Sequence, residues 1–267
     1  MLDALSIGAT GMQAQQLAVN TIANNLANAN TPAFKKGSVS FTDLMMLDTT
    51  QVQPGDTDAD IGRVGPLSGI PQSGAGVGVA SVAKMFDAGD MQKTGSAFDV
   101  AIQGDGFLEV TMPDGTRAFT RGGTLKVNTD GMLVTQSGYA LKPGITVPAH
   151  ASNLTVDSLG HVAVTVPNQS APVVLGQPEM VRFPNAGALS AQGDNLYRST
   201  DGSGEAIAAK AGQDGIGTLA QGFLEGSNVK MTDEMVNLMI AQRAYEANVK
   251  VVQASDDMLG MINNLRK

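Results

Sequence analysis

The side chains that could carry chemistry in this sequence are few, and they lie far from one another along the chain. His150 and His161 are the only histidines among 267 residues, and cysteine is absent. Zinc sites need several Cys or His ligands at short spacing, and the lack of cysteine excludes disulfides and thiolate nucleophiles. No Gly-x-Ser-x-Gly elbow of a serine hydrolase occurs either, since residues 202–204 read Gly-Ser-Gly. We therefore predict that the chain is not an enzyme.

Two short sequence patterns resemble ligand-binding loops but lack residues that such loops require. Aspartates alternate over residues 56–60 as in a calcium loop, yet Ile61 and Leu67 stand where that loop needs glycine and a bidentate glutamate. The glycines of residues 74–78 are not followed by the Lys-Ser/Thr of a phosphate-binding loop. We expect a solvated acidic loop and turns at these two places, and no metal or cofactor.

Charge and hydropathy exclude two further classes of partner. The net charge is -8 and the sequence pI is about 4.7, whereas nucleic-acid binding depends on clustered Lys and Arg. No run of 18 apolar residues occurs, so we expect no insertion into a membrane. The first residues contain Asp3 and lack the positive charge of a secretory signal, so we expect no cleaved signal peptide.

Both ends of the chain repeat apolar side chains every seven residues, which is typical of a helix that packs along a partner helix. Glycine is absent from residues 12–36 and from 227–259, as expected for long uninterrupted helices. The two rows are Leu5, Met12, Val19 and Leu26, and then Leu238, Tyr245, Val252 and Leu259.

The N-terminal helix is expected to be weak in isolation. Five asparagines fall within residues 20–30, and each costs roughly 0.5 kcal/mol relative to alanine in a helix. This helix should therefore form only when its apolar row is covered by the C-terminal helix or by other chains. Asn20, Asn24 and Asn28 lie four residues apart, and they either bond across a helix interface or are simply solvated.

The middle of the chain changes to short alternating runs separated by turn residues. Asp114-Gly115 and Asp130-Gly131 predict hairpins, with both turn residues at positive φ. Residues 48–80 show neither helical nor strand periodicity, and so predict an extended arm.

The predicted fold is therefore α+β, with long terminal helices that pair as a coiled coil, an extended arm and a central all-β domain of short strands. The predicted domains are an N-terminal helix with its turn (1–36), the arm (37–90), the β domain (91–225) and a C-terminal helix (226–267).

At both ends the sequence resembles the bacterial flagellar rod and hook axial proteins. The motif of residues 23–35, Ala-Asn-Asn-Leu-Ala-Asn-Ala-Asn-Thr-Pro-Ala-Phe-Lys, is similar to the signature that ends the family's N-terminal helix, with Ala33 where glycine is common. Residues 222–229 and 235–248 are similar to the family's C-terminal hallmark, and residues 99–107 to its β-domain entry. The motif positions carried over from the family are Asn24, Asn25, Leu26, Asn28, Thr31, Pro32 and Phe34.

The resemblance implies a structural subunit that self-assembles through its terminal helices, with the two heptad rows as assembly residues. The family forms a rigid helical tube that crosses the periplasm and transmits torque from motor to hook. Implied partners are further copies of the chain, proximal rod and hook-side axial proteins, the type III export apparatus and the surrounding ring or bushing proteins.

Within the family, chain length and the arm favour a distal rod subunit over a proximal one, and a hook-type protein is disfavoured because hook proteins are longer. Outside the family, the residues leave open a β-rich secreted enzyme, and a binding module whose helical ends form a discrete coiled coil of two or three chains.

Overall fold

The computed structural model describes residues 2–47, 72–151, 153–167 and 171–265. Helix α1 (Leu2–Ala27) comes first, then the paired strands β1 (Gly37–Leu47) and β2 (Gln72–Lys84), then a series of short strands, and finally helix α2 (Met231–Leu265). The predicted α+β class, with a helix near each end and many short strands between, is confirmed. In the described residues no helix is both long and apolar enough to cross a membrane.

The short strands begin at residue 91 and end at residue 225. They are β3 (Met91–Lys93), β4 (Asp99–Gln103), β5 (Phe107–Thr111), β6 (Arg117–Thr120), β7 (Gly122–Val127), β8 (Leu133–Thr135), β9 (Ala140–Leu141), β10 (Asn153–Val156), β11 (Val162–Thr165), β12 (Val173–Gly176), β13 (Met180–Arg182), β14 (Ser190–Gly193), β15 (Leu196–Arg198), β16 (Ile207–Ala209), β17 (Thr218–Gln221) and β18 (Phe223–Glu225).

Most of these strands join one antiparallel sheet. Its order is β14-β15-β6-β5-β9-β8-β7-β4-β17, with β13 also paired to β5 and β16. Strands β10, β11 and β12 form a separate three-stranded sheet, and β18 pairs with β3. Inward side chains of the two larger sheets make one apolar core that includes Val100, Ile102, Leu108, Leu133 and Val164.

The two predicted Asp-Gly hairpins are present, joining β5 to β6 and β7 to β8. Gly115 and Gly131 have φ of 78° and 77°, whereas the aspartates before them are not at positive φ. Asp114 instead accepts hydrogen bonds from the backbone N–H and hydroxyl of Thr116, at 2.9 and 2.6 Å. The expectation that both turn residues adopt positive φ was therefore wrong, and in the β5–β6 hairpin the aspartate acts through its side chain instead.

The chain divides into two compact units. The first, here called the helical unit, comprises residues 1–23, 38–82 and 235–267; the second, the β unit, comprises residues 24–37 and 83–234.

In the helical unit, α1 approaches α2 at two glycines. A Cβ placed on Gly8 would lie 2.6 Å from Val252 Cγ2, and one on Gly11 would lie 2.7 Å from Asn248 Nδ2. Both distances are below van der Waals contact, so with a larger residue either these side chains or the helices would have to shift. Glycine therefore lowers the intrinsic stability of α1 and at the same time permits this close approach.

The glycines of residues 74–78 lie in strand β2 and not in turns, so that expectation was wrong. Gly76 has φ of 110°, and a Cβ there would fall on the Thr10 hydroxyl, which accepts a 3.4 Å hydrogen bond from the Val77 N–H. The small residues therefore let β2 pass closely over α1. The described ends of the predicted arm form β1 and β2, while the acidic residues 56–60 lie outside the described residues.

Candidate functional site

The turn after α1 is built by the asparagine-rich motif. The Asn28 side chain donates to the Asn24 carbonyl at 2.9 Å, and its Oδ1 accepts from the Thr31 hydroxyl at 3.1 Å. Ala33 follows in the left-handed region, at φ of 57°. That conformation explains why a glycine would suit this position, since a Cβ there costs roughly 1–2 kcal/mol.

Asn25 ties this turn to both of its neighbours. Its side chain is 2% exposed. Oδ1 accepts from the Gly37 N–H at 2.8 Å, while Nδ2 donates to the Gly37 carbonyl at 2.9 Å and to Glu234 Oε2 at 3.2 Å. One buried amide thus joins the end of α1 to the start of β1 and to the first turn of α2.

A cluster of three buried ions lies below the turn. Lys35, with a side chain that is 0% exposed, donates from Nζ to Glu225 Oε1 and to the Asp87 carbonyl, each at 2.6 Å. Glu225 also pairs with the buried Arg121 through two contacts, Nε to Oε2 at 3.1 Å and Nη2 to Oε1 at 3.2 Å. We call Lys35, Arg121 and Glu225 the ion cluster.

Backbone groups complete the ion cluster. The Gly89 N–H donates to Glu225 Oε1 at 3.0 Å, and Arg121 Nη1 donates to the Gly106 carbonyl at 3.0 Å. Among the described residues, no buried side-chain nitrogen or oxygen lacks a hydrogen-bond partner. A buried ion that loses its partner typically costs 3–5 kcal/mol, so the cluster makes the geometry of this region strict.

Burial and charge shift the two titratable members in the same direction for different reasons. Burial lowers the pKa of Lys35, although the hydrogen bond to Glu225 opposes that shift. For Glu225, burial acts to raise the pKa, but the hydrogen bonds and positive charges of Arg121 and Lys35 outweigh it and hold the pKa below its ordinary value. Glu225 is therefore an anion held between two cations.

The aromatic neighbours of the ion cluster form a second, smaller core. Phe119 and Phe183 meet edge to face with centroids 4.8 Å apart, and Phe86 contacts Tyr197 in the same way at 4.9 Å. Burial raises the pKa of Tyr197 to about 12, against the effect of the nearby Arg121. The Tyr197 hydroxyl therefore stays neutral at physiological pH.

Two stretches far apart in the sequence meet here through their backbones as well. The Ala33 N–H donates to the Glu225 carbonyl at 2.7 Å, and the Lys36 N–H donates to Asn228 Oδ1 at 2.8 Å. Asn228 Nδ2 in turn donates to the Met85 carbonyl at 2.8 Å. The site therefore joins the N-terminal motif to the C-terminal motif through hydrogen bonds and ion pairs, and the role of these contacts is structural.

The predicted heptad residues differ in their exposure and in their place at the α1–α2 contact. All four of the α1 row are half-buried, as are Leu238, Val252 and Leu259, while Tyr245 is 40% exposed. Of the eight, the structure brings Val252 directly against the partner helix, at Gly8. Fully buried positions of the helical unit include Gly11, Ala18 and Ala241.

The asparagines of the motif differ in their contacts within the subunit. Asn20 and Asn24 are exposed, and Asn28 bonds within its own helix, whereas Asn25 makes the long-range contacts. The ion cluster was not predicted. A usable signal was present, since Lys35 and Glu225 each follow apolar residues within short motif segments, Ala33-Phe34 and Phe223-Leu224.

Among the described residues, no group of three or more His, Cys, Asp and Glu side chains could hold a metal ion.

Three family profiles match the chain. Residues 5–35 match the flagella basal body rod protein profile, residues 101–164 match the flagellar hook protein FlgE/F/G D1 domain, and residues 220–265 match the C-terminal part of the flagellar basal body rod FlgEFG proteins.

Curated relatives match along the whole chain. The flagellar basal-body rod protein FlgG of Borreliella burgdorferi is 45% identical over 100% of both chains. FlgG of Buchnera aphidicola is 42% identical over 99% of this chain and 100% of its own. The rod protein FlgF of Caulobacter vibrioides is less similar, at 32% identity over 98% of this chain and 100% of its own.

Proposed function

This chain belongs to the FlgG family of flagellar basal-body rod proteins, and we propose that it builds the rod by packing the outer face of α2 against neighbouring subunits. It is a structural subunit of the flagellar basal body, of the distal rod. The proposal concerns how the subunit assembles.

The observation that carries the proposal is the pair of faces on α2. One face, with Leu238, Ala241 and Val252, is at least half-buried in the subunit. The other side of the helix carries large apolar side chains that remain 41–61% exposed. These are Val236, Met239, Ile240, Val251, Met258, Met261 and Ile262.

We expect a face with this many large apolar side chains to be buried in the assembled protein. Each large aliphatic side chain contributes ~1.5–3 kcal/mol when it is fully buried, and several exposed large apolar side chains on one side of a helix are typical of an interaction site. Because the inner face already meets α1, the outer face is free for a second copy. Contacts between different faces of identical subunits generate a helical filament when the rotation between subunits does not close into a ring.

The pairing of α1 with α2 as a coiled coil is the second part of the proposal. The Gly8 and Gly11 contacts support it, since they set the two helices side by side. We assign the remaining heptad residues to packing between subunits: Leu5, Met12, Val19 and Leu26 in α1, and Leu238, Tyr245 and Leu259 in α2. We also propose that the predicted domain limits hold, namely 1–36, 37–90, 91–225 and 226–267.

The weak N-terminal helix fits export before assembly. We propose that the chain leaves through the type III export apparatus with this helix unfolded, and that burial in the growing tube stabilises it. The assembled tube would cross the periplasm, contact proximal rod and hook-side axial proteins and the surrounding ring proteins, and transmit torque.

The test is to place charge on the outer face of α2. We expect the double variant Val236→Asp/Ile240→Asp to remain a soluble subunit and to fail to sediment as polymer under conditions where the unmodified chain assembles. The matched control is Gln242→Asp/Gln253→Asp, which adds the same charge at exposed polar positions of the same helix. Assembly of the first variant to the level of the control would refute the proposal.

A further inference from the structure

The segment that follows α1 lies on the β unit in the manner of a bound peptide. Its backbone is hydrogen-bonded at nearly every residue to one surface. Asn195 Nδ2 donates to the Pro32 carbonyl at 2.7 Å, Lys84 Nζ donates to the Lys35 carbonyl at 2.9 Å, and the Met85 N–H donates to the Lys36 carbonyl at 2.9 Å.

Two side chains of the segment fill specific positions on that surface. Phe34 is buried, and the Lys84 ammonium lies 4.5 Å from the centroid of its ring. Lys35 reaches Glu225 and the Asp87 carbonyl, as described above. Main-chain hydrogen bonds that supply affinity, combined with side-chain pockets that supply specificity, are the mark of peptide recognition.

The surface that receives the segment is held together by contacts that do not involve the segment. Strand β18 pairs with β3, with Glu225 opposite Met91, and the Gly226 N–H donates to the Asp90 carbonyl at 2.8 Å. The carboxylate of Glu225 already has two contacts to Arg121 and one to the Gly89 N–H. Removing Lys35 would therefore leave a neutral, hydrogen-bonded Arg–carboxylate pair and no orphaned anion.

We propose that residues 84–89 and 225–228 form a peptide-recognition groove whose ligand is the chain's own segment 31–37. The segment docks as a separable unit, and the Lys35 ammonium is its specificity determinant. The inference rests on the proposed function in one respect. Docking of the segment would then follow export, when the helix before it folds.

The test uses the full-length chain and a fluorescent peptide of residues 28–37. Lys35→Met keeps a side chain as long as the aliphatic part of lysine but removes the ammonium. A buried hydrogen bond to a charged group corresponds to about a 10- to 100-fold change in affinity. The chain's own segment should then leave the groove of this variant more often, and Lys210→Met, an exposed lysine of the β unit, is the matched control.

We expect the peptide to bind the Lys35→Met chain at least 10-fold more tightly than it binds the unmodified chain or the Lys210→Met control, whose grooves are filled. A peptide carrying norleucine at position 35 should bind the Lys35→Met chain about 10- to 100-fold more weakly than the unmodified peptide. Equal binding of the two peptides, or no saturable binding to the Lys35→Met chain, would overturn the proposal.

Hydrogen exchange gives the second readout. In the Lys35→Met chain, amides of residues 31–37 should exchange at least 10-fold faster while β4 to β8 keep their protection. If both regions lose protection equally, the segment is an integral part of the β unit and the groove proposal is wrong. Because these measurements use dilute, unassembled subunits, they are independent of whether the Val236→Asp/Ile240→Asp variant polymerises.

Discussion

The β unit and the helical unit use opposite kinds of contact. Around Lys35, Arg121 and Glu225, the β unit buries charged groups whose partners all lie within the same chain. In the helical unit, α1 and α2 meet through glycines, and the outer face of α2 stays exposed. The comparison teaches that the single chain satisfies the buried charges of the ion cluster by itself but leaves large apolar side chains of α2 exposed.

The largest expected effect comes from breaking the ion cluster. Glu225→Gln would leave the ammonium of Lys35 and the guanidinium of Arg121 buried without an anion, and we expect it to lower the free energy of unfolding of the β unit by about 3–5 kcal/mol. Urea denaturation would measure the loss, with the exposed Glu205→Gln as control. A change below about 1 kcal/mol would mean that the cluster contributes little to stability.

A smaller effect is expected at the glycine contact. Gly8→Val would bring its side chain into Val252, and overpacking of this kind costs about 1–3 kcal/mol. Gly260→Val is the matched control, since a Cβ at Gly260 has no atom within 4 Å and the cost of valine in a helix is the same. Hydrogen exchange in α1 should increase for the first variant only; equal exchange in both variants would show that the helices do not depend on close approach.

Acid should weaken the β unit through the same carboxylate. The pKa of Glu225 is lower in the folded state than in the unfolded chain, so its contribution is fully present above the unfolded value, about 4.3. The contribution is lost as the pH falls through the folded pKa. The Glu225→Gln chain should show a flatter stability curve below about pH 4.3; parallel curves for the two chains would assign the acid sensitivity to other carboxyls.

The smallest effect is expected at Ala33. Ala33→Gly relieves a left-handed alanine, which costs roughly 1–2 kcal/mol. It also removes a buried methyl group worth ~0.8 kcal/mol and adds flexibility that costs about 0.5–1 kcal/mol. These terms nearly cancel, so the melting temperature of the β unit should barely change, whereas Ala33→Val should lower it clearly. A large gain from Ala33→Gly would show that backbone strain dominates at this turn.

The sequence by itself determined the terminal helices and two of the hairpins. Heptad rows near both ends predicted α1 and α2, and Asp-Gly pairs predicted the β5–β6 and β7–β8 hairpins, because helix and strand periods and turn preferences are local properties of the chain. The two terminal motifs were likewise sufficient to indicate the family. None of these inferences needs to know which residues meet in space.

Only the tertiary structure decided which faces and which charges meet. When a helix has apolar residues in several adjacent rows, its sequence does not specify which row packs against another helix. In this protein two small residues, Gly8 and Gly11, let α1 approach α2 closely. Lys35 and Glu225 are 190 residues apart in the sequence, and the sequence near each gives no information about the other. An ion is buried at acceptable cost only where a partner of opposite charge lies beside it. The tertiary fold places these partners next to each other.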